Sequence, residues 1–222
     1  METQKQFKRR FSFEFFPPKT DKGWEKLQGV RNTLAEVDPD FFSVTFGAGG
    51  STRDRTVQTV LDLHKRGVST APHLSCVGAT RDSIAELLDV YRDNGINRIV
   101  ALRGDMPSGM GAAGELRYAN ELVSFIREYS GDTFNIEVAA YPEFHPQART
   151  AEDDLKNFAR KVEAGANSAI TQYFFNADSY FYFIDRLEKM GVTIPVVPGI
   201  MPIVNFSNLT RFSDMCGAEI PR

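Results

Sequence analysis

Short apolar runs of strand length alternate along the chain with stretches whose apolar residues recur at helical spacing. The runs are rich in β-branched and aromatic residues, as buried strands are. Strands are predicted near residues 11–15, 40–46, 70–76, 97–102, 135–140, 167–173 and 194–199. Between them lie amphipathic patterns, for example Ile84, Leu87, Leu88 and Tyr91, which share one helical face. The pattern therefore predicts a β/α unit that repeats seven times.

Residues that begin and end helices stand where this pattern expects them. Thr80, Thr150 and Asp178 occupy predicted N-cap positions. Glycines follow four of the helical runs, at Gly67, Gly95, Gly165 and Gly191. Consecutive right-handed β/α crossovers of about 30 residues build either an open doubly wound sheet or a closed (β/α)8 barrel.

Polar side chains at the predicted carboxyl ends of the strands distinguish these two architectures. They are Glu14, Thr45, His73, Asp105, Tyr141 with His145, and Gln172. In an open sheet such groups concentrate at one switch point, whereas in a barrel they converge from many strands onto one rim. We therefore predict an α/β fold, a (β/α)8 TIM barrel that forms a single catalytic domain over residues 1–222. No eighth strand is predicted before Arg222, so the barrel is expected to be truncated after its seventh unit; either the chain is a fragment, or another segment or subunit closes the gap.

Composition and charge narrow the function classes. With 222 residues and 42% hydrophobic side chains, the chain can bury one sizeable core. The formal net charge is −3, and the densest basic block, Lys8 to Arg10, is expected to be a solvated arm, which argues against a nucleic-acid surface. Cys76 and Cys216 form no metal-ligand pattern and fit a reducing cytoplasm. No signal peptide or apolar stretch of roughly 20 residues predicts a membrane span.

The stretch FSFEFFPP, residues 11–18, places one carboxylate among four phenylalanines. Alternation puts Phe11, Phe13 and Phe15 on one face, which we expect to pack against helices, and directs Glu14 into the barrel mouth. Desolvation there would favour the protonated carboxyl group, which can serve as a general acid. The alternative is a partly exposed glutamate that pairs with an arginine.

FEFFPP, residues 13–18, is the first of seven motifs. The others are FSVTFGAGGSTRDRT (42–56), APHLSC (71–76), ALRGDMP (101–107), AAYPEFHP (139–146), DLKNFARKVEAGAN (154–167) and ITQYFF (170–175). With these motifs in this order, the chain from residue 11 onwards resembles the bacterial, FAD-dependent methylenetetrahydrofolate reductases. The resemblance implies a homo-oligomeric (β/α)8 flavoprotein of one-carbon metabolism. It also implies reduction of 5,10-methylenetetrahydrofolate to 5-methyltetrahydrofolate with NADH or NADPH, in ping-pong order through FAD.

The resemblance further implies roles for individual residues. Glu14 matches the family's general acid, and Asp105 matches a catalytic acidic residue near the flavin and the pterin. Cofactor contacts are matched by Thr45, Phe46, Gly47, Ala48, His73, Arg103, Gly104, Asp105, Tyr118, Ala119, Tyr141, His145, Asp154, Asn157, Arg160 and Lys161. Substrate contacts are matched by Thr45, Gln172 and Phe212. Structural alternatives exist, including a satisfied core histidine at His73, a turn residue at Asp105 and core packing at Phe212.

One predicted helix offers a geometric check on these assignments. Helical spacing puts Ala151, Leu155, Phe158 and Val162 on a buried stripe. Four of the matched polar residues, at positions 154, 157, 160 and 161, then share an adjoining face. Such a face can bind ribose and pyrophosphate, or it can be a solvated surface laced with salt bridges.

Residues 109–114, GMGAAG, satisfy the GxGxxG pattern but lack its context. Asp105, Met106, Pro107 and Ser108 intervene before this segment, and no apolar helical run follows, so we predict a rim loop instead of a Rossmann site. Three functions stay open: a flavin-dependent reductase, a catalytically silent folate- or flavin-binding module that acts through a partner, and a related flavin barrel such as proline dehydrogenase.

Overall fold

The computed structural model describes residues 1–46, 50–105 and 114–221, with the side chains of residues 50–52 and 215 outside that description. The strands β1 to β7 are Phe13–Phe15, Phe42–Val44, Thr70–Ser75, Arg98–Leu102, Asn135–Ala140, Ser168–Thr171 and Val196–Val197. The helices α1 to α8 are Glu2–Lys5, Asp21–Ala35, Gly50–Lys65, Arg81–Asp93, Ala119–Ser130, Ala151–Glu163, Ala177–Lys189 and Phe206–Cys216. The predicted Gly47 and Ala48 contacts and nearly all of the GMGAAG segment lie outside the described residues.

The chain divides into two units, which we call the N-terminal unit, Arg9–Ile136, and the C-terminal unit, Met1–Lys8 with Glu137–Arg222. In the N-terminal unit, β1 to β4 pair in chain order and in parallel. The register aligns Phe13 with Phe42 and Phe42 with Thr70. Parallel neighbours in chain order require a crossover after each strand, and the helices supply it.

The core of the N-terminal unit begins with aromatic packing on β1 and β2. Phe42 is fully buried, and its ring lies 5.1 Å from that of Phe15 and 6.3 Å from that of Phe13. Phe15 is buried as predicted, but Phe11, which lies before the short β1, is 50% exposed. The expectation that Phe11 packs against helices is therefore wrong, because the strand begins two residues later than predicted.

In the C-terminal unit, β5, β6 and β7 also pair in parallel and in chain order. The sequence pattern did not predict α1, which packs here. Gln4 donates to the carbonyl of Ile194 at 3.1 Å and accepts from the amide of Val196 at 2.9 Å. Thr3 bonds Glu188 through its amide and hydroxyl, and these bonds lower the pKa of Glu188 to about 2. Polar contacts with residues near the other end of the chain thus order a segment that has no apolar periodicity.

All seven predicted strands are present as parallel β/α units, so the α/β class is confirmed. Thr80 and Thr150 are the N-caps of α4 and α6, as predicted. Asp178 is not a cap; Asn176 caps α7 by accepting from the amide of Asp178. Helix α7 starts earlier than predicted because the Asn176 side chain can reach the amide of Asp178, two residues further on.

The stripe predicted for α6 is correct at its centre and wrong at one end. Leu155 and Phe158 are buried, whereas Ala151 is exposed and Ala159 is buried instead. In the described part of the chain, no helix combines the length and the apolar character that crossing a bilayer requires.

We expect Phe42→Ala to destabilise the protein by about 3–5 kcal/mol, because it removes a fully buried ring between two aromatic neighbours. Phe16→Ala is the matched control, since Phe16 is 69% exposed, and it should change stability by less than about 0.5 kcal/mol. Urea unfolding measures both. Equal effects of the two substitutions would contradict this packing.

Candidate active site

Glu14 lies in the middle of β1, and its side chain reaches solvent. Its side chain is 47% exposed, and its Oε2 lies 3.5 Å from Nε2 of His73. The expected desolvation of Glu14 is therefore wrong for the described residues, and the partner is a histidine instead of an arginine. A carboxyl group that keeps half of its surface in water can exchange protons with solvent.

His73 lies on β3 and is buried. Burial lowers the pKa of its imidazole, because desolvation disfavours the charged form, and the nearby Glu14 opposes this effect. His73 is therefore neutral at pH 7. Its Nε2 is a buried polar atom that has no hydrogen-bond partner among the described residues, since the 3.5 Å contact with Glu14 lacks hydrogen-bond geometry. The alternative of a satisfied core histidine is wrong for this part of the chain.

The carboxyl end of β2 is tied to its neighbours through Thr45. The Thr45 amide donates to the carbonyl of Phe15 at 3.0 Å, and its carbonyl accepts from the Thr56 hydroxyl of α3 at 3.0 Å. Phe46, the next residue, is partly buried. These contacts fix the backbone where the cofactor and substrate contacts of Thr45 are expected.

Gly104, which follows β4, is in a conformation that a side chain would not tolerate. Its φ is +86°, and a Cβ there would lie 1.9 Å from Oγ of Ser75. Ser75 in turn donates to the carbonyl of Arg103 at 2.8 Å, so the backbone is held against β3. Asp105 is exposed directly after this turn. The turn at Gly104 thus places the side chain of Asp105 on the surface, just after the end of β4.

Tyr118 and Ala119 lie where α5 begins. The Glu121 carboxylate of this helix accepts from the amide of Arg117 at 2.6 Å. Tyr118 is 57% exposed and Ala119 is partly buried. The aromatic ring of Tyr118 is therefore presented to solvent from an ordered helix start.

In the C-terminal unit, Tyr141 and His145 lie in the loop after β5. Their ring centroids are 4.6 Å apart in an edge-to-face arrangement. The His145 amide donates to Asp154 at 3.0 Å, and its Nδ1 accepts from the amide of Gln147 at 3.0 Å. The proton of a neutral His145 therefore lies on Nε2. These contacts fix the conformation of the loop.

Lys161 and Asp154 form an enclosed pair of opposite charges on α6. Nζ of Lys161 donates to the carbonyl of Ala139 at 2.5 Å and lies 5.2 Å from the ring centroid of Phe158. Burial lowers the pKa of Lys161 to about 8, and Asp154 opposes the shift. Burial also raises the pKa of Asp154, against the opposing effects of the His145 amide and Lys161. The amine is therefore cationic at pH 7 but poorly solvated.

Asn157 and Arg160 lie on the exposed part of the same helix. Arg160 donates to Oδ1 of Asn157 at 2.8 Å and contacts no carboxylate among the described residues. The four polar positions predicted for this helix thus divide into an enclosed pair and an exposed pair. The alternative of a face laced with salt bridges is wrong for the described chain.

The two predicted substrate contacts of the C-terminal unit differ in setting. The backbone amide of Gln172 donates to the carbonyl of Ala140 at 2.8 Å. The side-chain oxygen of Gln172 accepts from the backbone amide of Tyr173. Phe212, on α8, is 37% exposed, so the core-packing alternative is wrong. Its ring lies 5.9 Å from the guanidinium carbon of Arg211.

Sequence reasoning missed residues that support the site without matching a functional motif. Ser75 holds the Arg103 backbone, and the Tyr173 hydroxyl lies 3.1 Å from that of Ser213 on α8. Ser75 follows APHL within a recognised motif, and this position is the signal that could have found it. Nothing in the local pattern marks Ser213.

A groove of about 600 Å³ lies elsewhere, between α2 and α3, and contains none of the predicted site residues. Among the described residues, no three His, Cys, Asp or Glu side chains gather as a metal site requires. The chemistry therefore rests on two sets of groups. The N-terminal unit offers a carboxyl group beside a neutral imidazole, and the C-terminal unit offers cationic and aromatic groups that suit an anionic, aromatic ligand.

Parallel β/α units with polar side chains after the strand ends are the architecture of an α/β enzyme. The family model described as methylenetetrahydrofolate reductase matches residues 1–222. Relatives named 5,10-methylenetetrahydrofolate reductase from Salmonella typhimurium and Escherichia coli are 46% identical over 211 residues, which cover 95% of this chain and 70% of each relative. The maize protein named methylenetetrahydrofolate reductase (NADH) 1 is 39% identical and is matched over 38% of its length. The chain belongs to the methylenetetrahydrofolate reductase family, which is a family of oxidoreductases.

Solved structures also resemble the chain in fold. An uncharacterized protein from Clostridium thermocellum, which binds two copies of 5-methyl-5,6,7,8-tetrahydrofolic acid, has a TM-score of 0.70 at 16% identity, covering 100% of this chain and 76% of that one. A phosphonopyruvate hydrolase has a TM-score of 0.59 at 8% identity, covering 96% and 81%. At such identities the likeness is one of fold alone.

Gly104→Ala should destabilise the protein by at least about 2 kcal/mol, because it combines a positive φ with a clash against Ser75. Gly29→Ala is the matched control: it lies within α2 with open space around it and should stabilise the protein by about 0.5–1 kcal/mol. Urea unfolding compares them. A neutral Gly104→Ala would contradict the described turn.

The buried Lys161 amine should make stability depend on alkaline pH. Its pKa is about 8 in the folded chain and about 10.4 when unfolded, so between these values the unfolded state binds more protons and stability rises with pH. The rise should total about 3 kcal/mol and should be lost in Lys161→Met. Lys156→Met, at an exposed position of the same helix, should keep the wild-type slope. Parallel profiles for Lys161→Met and wild type would contradict the burial of the amine.

Proposed function

We propose that this chain reduces 5,10-methylenetetrahydrofolate to 5-methyltetrahydrofolate, with FAD as cofactor and NAD(P)H as electron donor. The observation that carries the proposal is the family match along the whole chain, joined by 46% identity to relatives named for that reaction. Membership of this family selects the reductase over the proline dehydrogenase alternative. The folate-binding structural neighbour agrees in fold.

Each unit, taken by itself, offers residues that fit a part of FAD. In the N-terminal unit, the tight turn at Gly104 leads to the exposed carboxylate of Asp105, which can accept a hydrogen bond from the ring N–H of a flavin. In the C-terminal unit, Arg160 and Lys161 supply cations for phosphates, and the exposed Asn157 amide suits a ribose hydroxyl. The remaining contacts are those of Thr45, Phe46, Gly47, Ala48, Arg103, Tyr118, Ala119, Tyr141, His145 and Asp154. The chemistry that FAD supplies when bound is two-electron transfer between NAD(P)H and the folate.

The acid chemistry belongs to Glu14. Its carboxyl group donates a proton to a ring nitrogen of the folate. The five-membered ring then opens and leaves an electrophilic iminium carbon. The half-exposed carboxylate then regains a proton from water. Asp105, exposed at the end of β4, supplies a negative charge that favours the cationic iminium.

Gln172 and Phe212 are proposed to contact the folate and the nicotinamide in turn. An amide that both donates and accepts, together with a part-exposed aromatic ring, can serve two flat heterocycles with different polar edges. Use of the same contacts by both substrates makes their binding mutually exclusive. The order is therefore ping-pong.

Further parts of the proposal concern the assembly. The seven parallel β/α units support a (β/α)8 barrel architecture, in one catalytic domain, whose closure is part of the proposal. The homo-oligomer is proposed from the family resemblance. The cytoplasmic location is proposed because the described cysteines, Cys76 and Cys216, are free.

Glu14→Gln should lower the rate of folate reduction by roughly 10²- to 10⁴-fold, because the amide has no acidic proton to give. Reduction of bound flavin by NADH should stay within about threefold of wild type, since that step needs no acid at this position. Anaerobic stopped-flow absorbance separates the two half-reactions. Glu25→Gln, at an exposed position of α2, is the control and should change neither.

Loss of flavin reduction together with folate reduction in Glu14→Gln would contradict the assigned role. A wild-type chain that binds flavin and folate but turns over neither would instead favour the silent binding module.

A further inference from the structure

We propose that His73 is a positioning residue for Glu14, which holds carboxyl oxygen Oε2 through Nε2 so that the other oxygen, Oε1, presents the acid proton to the substrate. The inference rests on the proposed function for the role of Glu14 as the acid. It assigns His73 a task that differs from cofactor contact.

Strand register places the two side chains on one face of the sheet. Glu14 on β1 is aligned with Ser43 on β2, and Ser43 is aligned with Ala71 on β3. His73 lies two residues after Ala71, so all four side chains share a face. Because Ser43 and Ala71 are small, the long side chain of Glu14 can reach across β2 to the imidazole, where the two groups lie 3.5 Å apart.

Among the described residues, the unpartnered Nε2 of His73 supports the same pairing. Buried polar atoms in folded proteins have hydrogen-bond partners in the great majority of cases. Nε2 of His73 has none among the described residues, and Oε2 of Glu14 lies 3.5 Å away, a few tenths of an ångström beyond a hydrogen bond. Catalytic hydrogen bonds in unliganded enzymes are often long and shorten when substrate binds. A half-exposed glutamate has the freedom to make that movement.

Burial selects the protonation state that the task requires. The imidazole stays neutral because desolvation, which lowers its pKa, outweighs the opposing charge of Glu14 on β1. A neutral imidazole with its proton on Nε2 donates to Oε2 in both states of the carboxyl group. His73 therefore orients the acid without competing for its proton.

The proton step balances with His73 unchanged. The O–H bond at Oε1 breaks, an N–H bond forms on the leaving ring nitrogen of the folate, and the electron pair stays on the carboxylate. The Nε2–H···Oε2 bond strengthens as this negative charge develops, so its contribution is larger in the transition state than before it. Water reprotonates the exposed carboxylate.

His73→Leu should slow the folate half-reaction by roughly 10- to 100-fold, because it removes one donor to a developing charge. The rate of flavin reduction by NADH and the dissociation constant of FAD should stay within about threefold of wild type. His73→Gln should restore most of the lost rate, because its side-chain amide can donate to Oε2. His64→Leu is the matched control, since His64 is a partly buried histidine on α3 outside the site, and it should leave both half-reactions unchanged.

Equal losses in both half-reactions of His73→Leu, without rescue by glutamine, would overturn the proposal, because they indicate a cofactor contact or a structural role. A wild-type rate of folate reduction in His73→Leu would overturn it as well.

A second measurement needs neither cofactor nor turnover. Nitrogen-15 NMR follows the titration of the three histidines in the wild-type chain and in Glu14→Gln. The pKa of His73 should fall in Glu14→Gln, because the charge that raises it is gone. An unchanged His73 titration would overturn the pairing even in an active enzyme. If wild type binds FAD but reduces no folate, only the proposed function fails, and this comparison still decides the pairing.

Discussion

The parallel register of β1, β2 and β3 is the constraint on which the arrangement of Glu14 and His73 depends. It aligns Glu14, Ser43 and Ala71 across three strands and so directs Glu14 and His73 to the same face. A shift of one residue would turn Glu14 to the opposite face, because side chains alternate along a strand. The buried ring of Phe42 opposes such a shift, since it is packed between Phe13 and Phe15 on the other face. Aromatic packing on one side of the sheet thus keeps the side chains of Glu14 and His73 on the other side.

Much of this architecture could be predicted because periodicity and caps are local signals. The positions of the strands, the caps Thr80 and Thr150 and the glycine-terminated helices all follow from residues within a few positions of each other. The exposure of Glu14 could not be predicted, because it depends on which parts of the folded chain cover the three-residue strand β1. The pairing of Glu14 with His73 spans 59 residues of chain, from position 14 to position 73, and needs the register across β2. The helix α1 was missed since polar contacts, not an apolar stripe, order it.

The C-terminal unit shows a related division of labour along one helix. On α6, Leu155 and Phe158 face the core, Lys161 and Asp154 lie enclosed beside the loop after β5, and Arg160 is exposed. Enclosure leaves the Lys161 amine poorly solvated and lowers its pKa to about 8. The loop itself is held by Asp154 through the amide of His145, so one carboxylate serves both the backbone and the cation. Under the proposed function, this surface needs little rearrangement to bind the cofactor.

The central claim is that the chain carries electrons from NAD(P)H to a folate through a bound flavin. The most direct test is the absorbance spectrum of the purified protein under anaerobic conditions, followed while the two substrates are added in sequence. The account predicts an oxidised flavin band that bleaches with NADH or NADPH and returns when 5,10-methylenetetrahydrofolate is added, with 5-methyltetrahydrofolate as the product. A protein that takes up no FAD, or a bleached band that methylenetetrahydrofolate does not restore, would contradict it.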